Sequence, residues 1–286
     1  MNKLLICGFG YTASILARKF ASKDFQIIGT TRDEQKKTLA SKFVNIINHR
    51  ELRSLLKNSK QEITHVMLSA PPSDRGDPFF LDYQNDISKM KTLKWIGYLS
   101  ATNVYGDYNG EYVNEFSLLK GNTSKGINRI KAENQWTEYC KKEELPLHIF
   151  RIAGIYGPER NTYERIKSKK FNHIVKNNQF FSRIYITDLV NVLFASMSKP
   201  NPINIYNVAD DMPSSMSDVV DFICQRTSCT IPEKISFEDL EKEQQKDSFY
   251  SENKRINNRL LKEDLGIILE YPSYREGYEE IIKNDN

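Results

Sequence analysis

The chain has 286 residues, 39% of them apolar, 11% aromatic and 27% charged, with 41 basic and 37 acidic side chains and a formal net charge of +4. That is the composition of a folded globular chain long enough for a sizeable core, and it excludes a disordered or fibrous one. So small a charge excess gives no basis for nucleic-acid binding, no stretch approaches the roughly 20 apolar residues of a membrane span, and the pattern of a secretory signal is missing, so a cytoplasmic protein without a membrane or nucleic-acid partner is expected.

The four cysteines (Cys7, Cys140, Cys224, Cys229) show no C-x-x-C spacing and read as reduced thiols. The four histidines are scattered, and no metal site is expected. The densest basic run, Lys167 to Lys170, reads as a solvated helix face.

Leu4 to Cys7 is a short apolar run ended by Gly8, a first strand. Ala13, Ile15, Leu16, Ala17 and Phe20 then supply a helical apolar face. Phe25 to Gly29 and Phe43 to Ile47 are the second and third strands, followed by Leu52, Leu55 and Leu56 at helical spacing. Val66 to Leu68 is a fourth strand, with Phe80, Ile87 and Met90 marking the helix after it. Trp95 to Leu99 and Leu147 to Ile152 are the fifth and sixth, joined by a polar helix from about Asn128 to Lys142. Thr187 and Asp188 stand where an N-cap should precede Leu189, Val192 and Leu193. Ile203 to Val208 is a seventh strand, and Ser215 or Ser217 caps a helix carrying Val219, Val220 and Ile223. Glu233 to Lys262 is charged and weakly patterned, and reads as surface helix and loop.

Strands that are apolar throughout, separated by helical patterns, predict βαβ units with helices on both sheet faces. The expected class is α/β: a Rossmann-type doubly wound parallel sheet of about seven strands with a smaller C-terminal α/β lobe. Residues 1–156 should form the sheet domain, rejoined by 184–210, and residues 157–286 mainly an interleaved, substrate-side lobe.

Between the first strand and first helix the chain reads Gly8-Phe9-Gly10-Tyr11-Thr12-Ala13, a G-x-G-x-x-A turn. The first glycine permits the tight turn, the second lets backbone approach a pyrophosphate, and the small third residue lets helix pack on strand. The helix N-terminus then offers N–H groups and a positive dipole end. With a strand before it and a helix after it, this turn predicts dinucleotide binding. At the end of the second strand, where an acidic residue would accept from NAD ribose, the chain reads Thr30-Thr31-Arg32. A guanidinium there, with Thr31 beside it, suits a 2′-phosphate, so NADP is favoured; Asp33 keeps NAD open. Ser69-Ala70-Pro71, after the fourth strand, is small and extended enough for a cofactor to pass closely.

Four further segments carry a resemblance: Ser100-Ala101-Thr102-Asn103-Val104-Tyr105-Gly106, Arg151 to Pro158 with Tyr156-Gly157-Pro158, Ile184 to Leu189, and Ile205-Tyr206-Asn207-Val208. In this order they resemble the S-S-x-x-V-Y-G, R-x-x-x-x-Y-G-P, H-V-x-D-L and Y-N-V segments of the extended short-chain dehydrogenase/reductases, the epimerase/dehydratase branch. The resemblance implies a strand-borne Ser or Thr that orients substrate, a Tyr acting as general acid/base, and a Lys four residues later that lowers its pKa and holds ribose. A cation beside a phenol of pKa about 10 favours the phenolate, which is what proton exchange near neutrality needs.

The chain departs from that pattern. Ala101 stands at the usual Ser/Thr position, leaving Ser100 or Thr102 for the hydroxyl role. Lys131 is well placed, 29 residues after Thr102, but four residues before it stands Ile127, which cannot move a proton. Two Y-x-x-x-K matches, Tyr163 with Lys167 and Tyr250 with Lys254, fall outside that helix and read as coincidental surface pairs. The resemblance adds Lys131 and Ile155 as cofactor contacts, Tyr105, Tyr156, Arg160 and Tyr185 as substrate contacts, and a homodimer as a possible assembly; Arg129 and Glu133 are further candidates for contact or acid/base work. The resulting expectation is an NADP-preferring oxidoreductase of epimerase/dehydratase type acting on a nucleotide sugar or similar hydroxyl/ketone substrate. The alternatives are a non-catalytic NADP(H)-binding sensor or regulatory module, and a reductase of another substrate class.

Overall fold

The computed structural model describes residues 1–199, 203–242 and 250–285. Seven strands, β1 (Asn2–Cys7), β2 (Phe25–Thr30), β3 (Val44–Ile47), β4 (His65–Leu68), β5 (Trp95–Ala101), β6 (Leu147–Ile152) and β7 (Ile203–Val208), form one sheet in the order β7-β6-β5-β4-β1-β2-β3. β1 pairs in parallel with β2 and with β4, and the β2–β3 and β4–β5 pairs are parallel too. After β3 the chain returns past β1 to lay β4 on its other side. The strand order therefore reverses between β1 and β4, and connections leaving their carboxyl ends diverge into a crevice.

Helices α1 (Tyr11–Phe20), α2 (His49–Ser59), α3 (Pro78–Ile87) and α4 (Ser124–Lys142) cover this sheet. Alternate strand residues, Leu5 and Cys7, Val66 and Leu68, Ile96 and Tyr98, Leu147 and Ile149, share one core cluster with residues of α2, α3 and α4. On the other face Phe20 of α1 stacks on Phe194 at 3.8 Å between ring centroids, and Phe25 meets the same ring edge-on. Covering both faces is what allows the strands to be apolar at every position. Helix α4 begins four residues before the expected Asn128. The Thr123 hydroxyl caps it by accepting from Gly126 N–H, and the poor helix former Gly126 hides that first turn in the sequence.

The chain divides into two compact units: Met1–Val104 with Asn122–Arg151 and Val190–Tyr206, and Tyr105–Gly121 with Ile152–Leu189 and Asn207–Asn286. Residues 105–121 thus group with the second unit, although they interrupt the sheet domain in sequence. The second unit holds three two-stranded parallel pairs: Gly154–Tyr156 with Arg183–Tyr185, His173–Val175 with Lys234–Ser236, and Tyr112–Val113 with Arg255–Ile256. Two of these strands come from the Glu233–Lys262 stretch expected to be helix and loop, of which 243–249 lie outside the described residues. Ser215 caps the helix Met216–Thr227 in a reciprocal box with Asp218.

The capping role expected of Thr187 and Asp188 is not what the structure shows. The helix Ile186–Met197 already includes both, and the Asp188 carboxylate instead accepts from Glu270 N–H and Tyr271 N–H, at 2.9 Å each. Lys167 to Lys170 are exposed as expected, but the helix Thr162–Lys167 ends at the first of them, so the run is not a helix face. No described helix is long and apolar enough to cross a membrane. Among the described residues, no cluster of three or more His, Cys, Asp or Glu could hold a metal ion.

Candidate functional site

A cleft of about 480 Å³ opens where the strand order reverses. Its walls are the segments that leave β1 (Gly8, Phe9, Gly10), β2 (Thr31 to Asp33) and β4 (Ser69 to Pro71), closed by Lys36, His49 and the start of α3. The glycine turn is built by short contacts. Gly8 sits at φ +102°, and a Cβ there would come within 2.9 Å of the Ala70 amide nitrogen, so only glycine lets the two loops approach. Gly8 N–H donates to Thr30 Oγ1 at 2.9 Å, Phe9 N–H to the Thr30 carbonyl at 2.7 Å, and the Ser69 hydroxyl to the Gly8 carbonyl at 2.6 Å. The Phe9 ring is buried against Gly29, where a Cβ would meet it at 2.2 Å.

Gly10 differs from its partner: its Cβ direction is open, with no atom within 4 Å. No side chain caps α1, and its first turn carries no acidic residue. The N-cap glycine thus brings no side chain of its own to the positive end of the helix dipole at this edge of the cleft. Of the expected α1 contacts, Thr12 and Ala13 are buried and Tyr11 half-buried; none is among the lining residues, and α1 contributes its backbone end instead.

At the end of β2, Arg32 is exposed on the cleft wall, and Lys36 reaches across to the Phe9 carbonyl at 3.2 Å. Asp33 N–H donates to Thr31 Oγ1 at 3.0 Å, and the Asp33 carboxylate accepts from Gln35 N–H to cap the short 3-10 helix Glu34–Leu39. Arg32, Lys36 and the Asp33 carboxylate, one oxygen of which is engaged by its own turn, therefore line the cleft together.

The end of β5 and helix α4 form a second cluster in the same unit. Ser100 is buried and donates to Glu133 Oε1 at 2.5 Å. Glu133 also receives Arg151 of β6, whose Nη2 donates to Oε2 at 2.8 Å and whose Nε lies 3.2 Å from the same oxygen. Both ions are almost fully buried. Thr102 does not extend the strand: β5 ends at Ala101, and Thr102 opens a 3-10 turn, half-buried. Ser100 on the strand and Thr102 in the turn therefore do not share a strand face. Lys131 is exposed and donates to the Asp74 carbonyl at 2.7 Å, Arg129 donates to the Leu99 carbonyl at 2.9 Å, and Ile127 is 52% exposed.

Beneath the cleft lies a group that pattern reading misses. Asp77 is fully buried at the cap of α3, its Oδ1 accepting from Phe79 N–H and Phe80 N–H at 2.9 and 2.8 Å. Its Oδ2, the Tyr98 hydroxyl and the Trp136 indole N–H are all buried without a well-formed hydrogen bond. Burial pushes the Asp77 carboxyl up to about 6, against the opposing pull of the two amides, Trp136 and Arg129. Burial and the nearby Asp77 also raise the Cys7 thiol, and burial raises the Tyr98 phenol. The one sequence signal was Asp77 directly before Pro78, the signature of a capped helix start.

No family model matches the chain. A dTDP-D-glucose 4,6-dehydratase from Dictyostelium discoideum is 27% identical over 205 residues, 61% of this chain and 47% of that protein, so the match spans about half of the relative's length. A conserved protein of unknown function from Silicibacter pomeroyi DSS shares 36% identity, with 99% of each chain covered and a TM-score of 0.91. UDP-glucuronic acid 4-epimerase from Bacillus cereus, solved in complex with NAD, has the same fold at 17% identity, with 99% of each chain covered and a TM-score of 0.75. The chain thus has the fold of these epimerases and is similar, over part of its length, to a nucleotide-sugar dehydratase.

That similarity bears on α4. Ile127 and Lys131 lie one turn apart on this helix, where the superfamily resemblance leads one to expect a tyrosine and its lysine. Ser100, nominated for the hydroxyl role, has its proton directed to Glu133, and Glu133 is held by Arg151, so neither is placed for acid/base work. The Y-x-x-x-K pairs elsewhere serve structure. Tyr163 and Lys167 both bond Asp285, at 3.0 and 2.7 Å. Tyr250 and Lys254 are not surface residues as expected: the Tyr250 hydroxyl is buried on the Ile174 carbonyl, and Lys254, 10% exposed, donates to the Gly106 carbonyl and to Glu252.

Three expected substrate contacts are core residues of the second unit. Tyr105 donates to Asn207 Oδ1 at 2.6 Å, and Tyr156 donates to the Ser273 carbonyl and packs against Gly277. Tyr185 packs between Tyr156 and Tyr271. Each is at most 5% exposed, which leaves no face for a ligand arriving from solvent. Arg160 is exposed on the Gly157–Arg160 turn, and Ile155 is half-buried in the strand Gly154–Tyr156 and is not part of the cleft wall.

Proposed function

We propose that this chain binds a nicotinamide dinucleotide in the cleft beyond β1, β2 and β4, prefers NADP, and is an oxidoreductase of epimerase/dehydratase type acting on a nucleotide sugar or a similar hydroxyl/ketone substrate. The observation that carries the reading is the pairing of an open Gly10 with an α1 terminus that no side chain caps. Such an end receives a pyrophosphate through backbone amides and the helix dipole. Arg32 and Lys36 supply positive charge for a 2′-phosphate, Thr31 a hydroxyl, and Ser69 to Pro71 the opposite wall. When bound, the nicotinamide supplies hydride transfer, and the protein supplies position and electrostatics. The NAD complex of the similar epimerase and the sequence match to a dehydratase support the cofactor class and the reaction type.

The test is thermal unfolding with each nucleotide. NADPH at one hundred times its Kd should stabilise the fold by about 2.7 kcal/mol. Arg32→Ala should weaken NADPH binding by about 10- to 150-fold, the loss of one charge-assisted hydrogen bond of about 1.5–3 kcal/mol, and leave NADH nearly unchanged. Equal losses for both nucleotides would remove the NADP preference, and no shift with either would remove the reading.

A second reading, a non-catalytic NADP(H)-binding sensor or regulatory module, is favoured by α4 itself. Ile127 has no proton to give, Lys131 is committed to the Asp74 carbonyl, and Ser100 donates to Glu133. Tight NADPH binding without turnover across a panel of nucleotide sugars and small carbonyls selects this reading; oxidation of NADPH with any of them excludes it.

A further inference from the structure

The second unit contains a pair of thiols whose spacing in sequence gives no hint of their relation. Cys224 lies in the last turn of the helix Met216–Thr227, and Cys229 follows the left-handed Ser228 (φ 53°) that ends it. The reversal at Ser228 folds the chain back so that the Cys229 thiol donates to Cys224 Sγ at 2.8 Å. The Cys224 sulfur is buried, and Cys229 is half-exposed. Cys7 and Cys140 are both buried, in the core of the first unit. We propose that Cys224 and Cys229 are a redox pair that closes to an intramolecular disulfide when the protein meets a peroxide, and reopens with a thiol reductant.

Position and exposure fix the order of events. Burial, the adjoining thiol and Asp221 push the Cys224 thiol up, so it is the slower sulfur to meet an oxidant. Cys229, the accessible member, attacks the peroxide as its thiolate. A sulfur–oxygen bond forms, the oxygen–oxygen bond breaks, one water leaves, and Cys229 becomes a sulfenic acid. The Cys224 sulfur then attacks Cys229 Sγ. The sulfur–sulfur bond forms, the sulfur–oxygen bond breaks, and the second water departs with the Cys224 proton. Two thiols lose two electrons in total, and one peroxide becomes two waters. Five residues of separation with a left-handed residue between them is a short loop, and the two sulfurs are already in contact, so closure needs a small adjustment of the helix end.

The experiment is a count of thiols in the whole protein. Reduced protein is treated with hydrogen peroxide, quenched, denatured and labelled with a maleimide. The chain has four cysteines, and the expected result is loss of two labels, a mass lower by two hydrogen atoms, a peptide linking 224 to 229, and full recovery with dithiothreitol. Cys224→Ser should leave Cys229 as a sulfenic acid that dimedone captures, and Cys229→Ser should keep its remaining three thiols through the same exposure. Four labels on the oxidised wild-type protein, or a linkage through Cys7 or Cys140, overturns the proposal. So does retention of the two-label loss in either serine variant.

Discussion

Asp77→Asn isolates the electrostatic cost of the carboxylate under the cleft. The carboxyl is fully buried and titrates at about 6 in place of 3.8. A folded-state pKa above the unfolded one means that the native protein holds the proton more tightly. Stability from this group is therefore complete below about pH 4 and is lost as pH rises through 6. A shift of about two units corresponds to ~3 kcal/mol, with no discount for solvent screening at a site with no exposure. Asparagine keeps an oxygen for the Phe79 and Phe80 amides, so it preserves the α3 cap while removing the ionisation. The assay is urea unfolding of both proteins from pH 4 to pH 8. Any fixed packing difference is an offset, and groups common to both cancel. The stability of wild type relative to variant should fall by ~2.5 kcal/mol between pH 4 and pH 7 and then level off. A difference that stays flat across this range would show that Asp77 is already ionised at pH 4, and would refute the reasoning from burial.

Two further changes probe the same unit. Glu133→Gln leaves the Arg151 guanidinium buried beside a neutral amide and should cost about 3–5 kcal/mol in chemical unfolding, whereas replacing both ions with apolar residues of similar volume should cost far less; equal costs would mean the pair is not coupled. Gly29→Ala drives a methyl into the Phe9 ring, and should lower both the Tm and the affinity for NADPH; combining it with Phe9→Leu should restore part of the Tm, and strictly additive losses would place the strain elsewhere.

The sheet and its switch point were legible because long-range structure here leaves a local trace. Strands covered on both faces carry apolar residues at most positions, and the apolar runs placed Leu147–Ile152 and Ile203–Val208 at their observed bounds, although each strand also holds two polar residues. The glycine turn was legible for the same reason, since a positive φ and a close loop approach admit no other residue at Gly8. What failed to read out depends on partners distant in sequence. Asp188 looks like a helix cap until Glu270 and Tyr271 supply their amides, more than 80 positions away. Tyr156 and Tyr185 sit at strand ends and Tyr105 closes the turn after β5, places where side chains often meet ligands, yet Asn207, Ser273 and Tyr271 pack against them. Glu133 stood as a candidate for acid/base work because its partners Ser100 and Arg151 are distant from it in the sequence.

Gly10 separates two requirements that coincide at Gly8. Its backbone, φ −106° and ψ −159°, is open to any amino acid, and nothing in the fold stands where a side chain would go. An alanine at position 10 therefore meets no atom of the native architecture, costs at most the modest penalty of a poorer helix cap, and narrows the room beside the helix end. Gly10→Ala should therefore keep the native fold while weakening binding of the proposed nucleotide, and it serves as a matched control for any effect of occupancy.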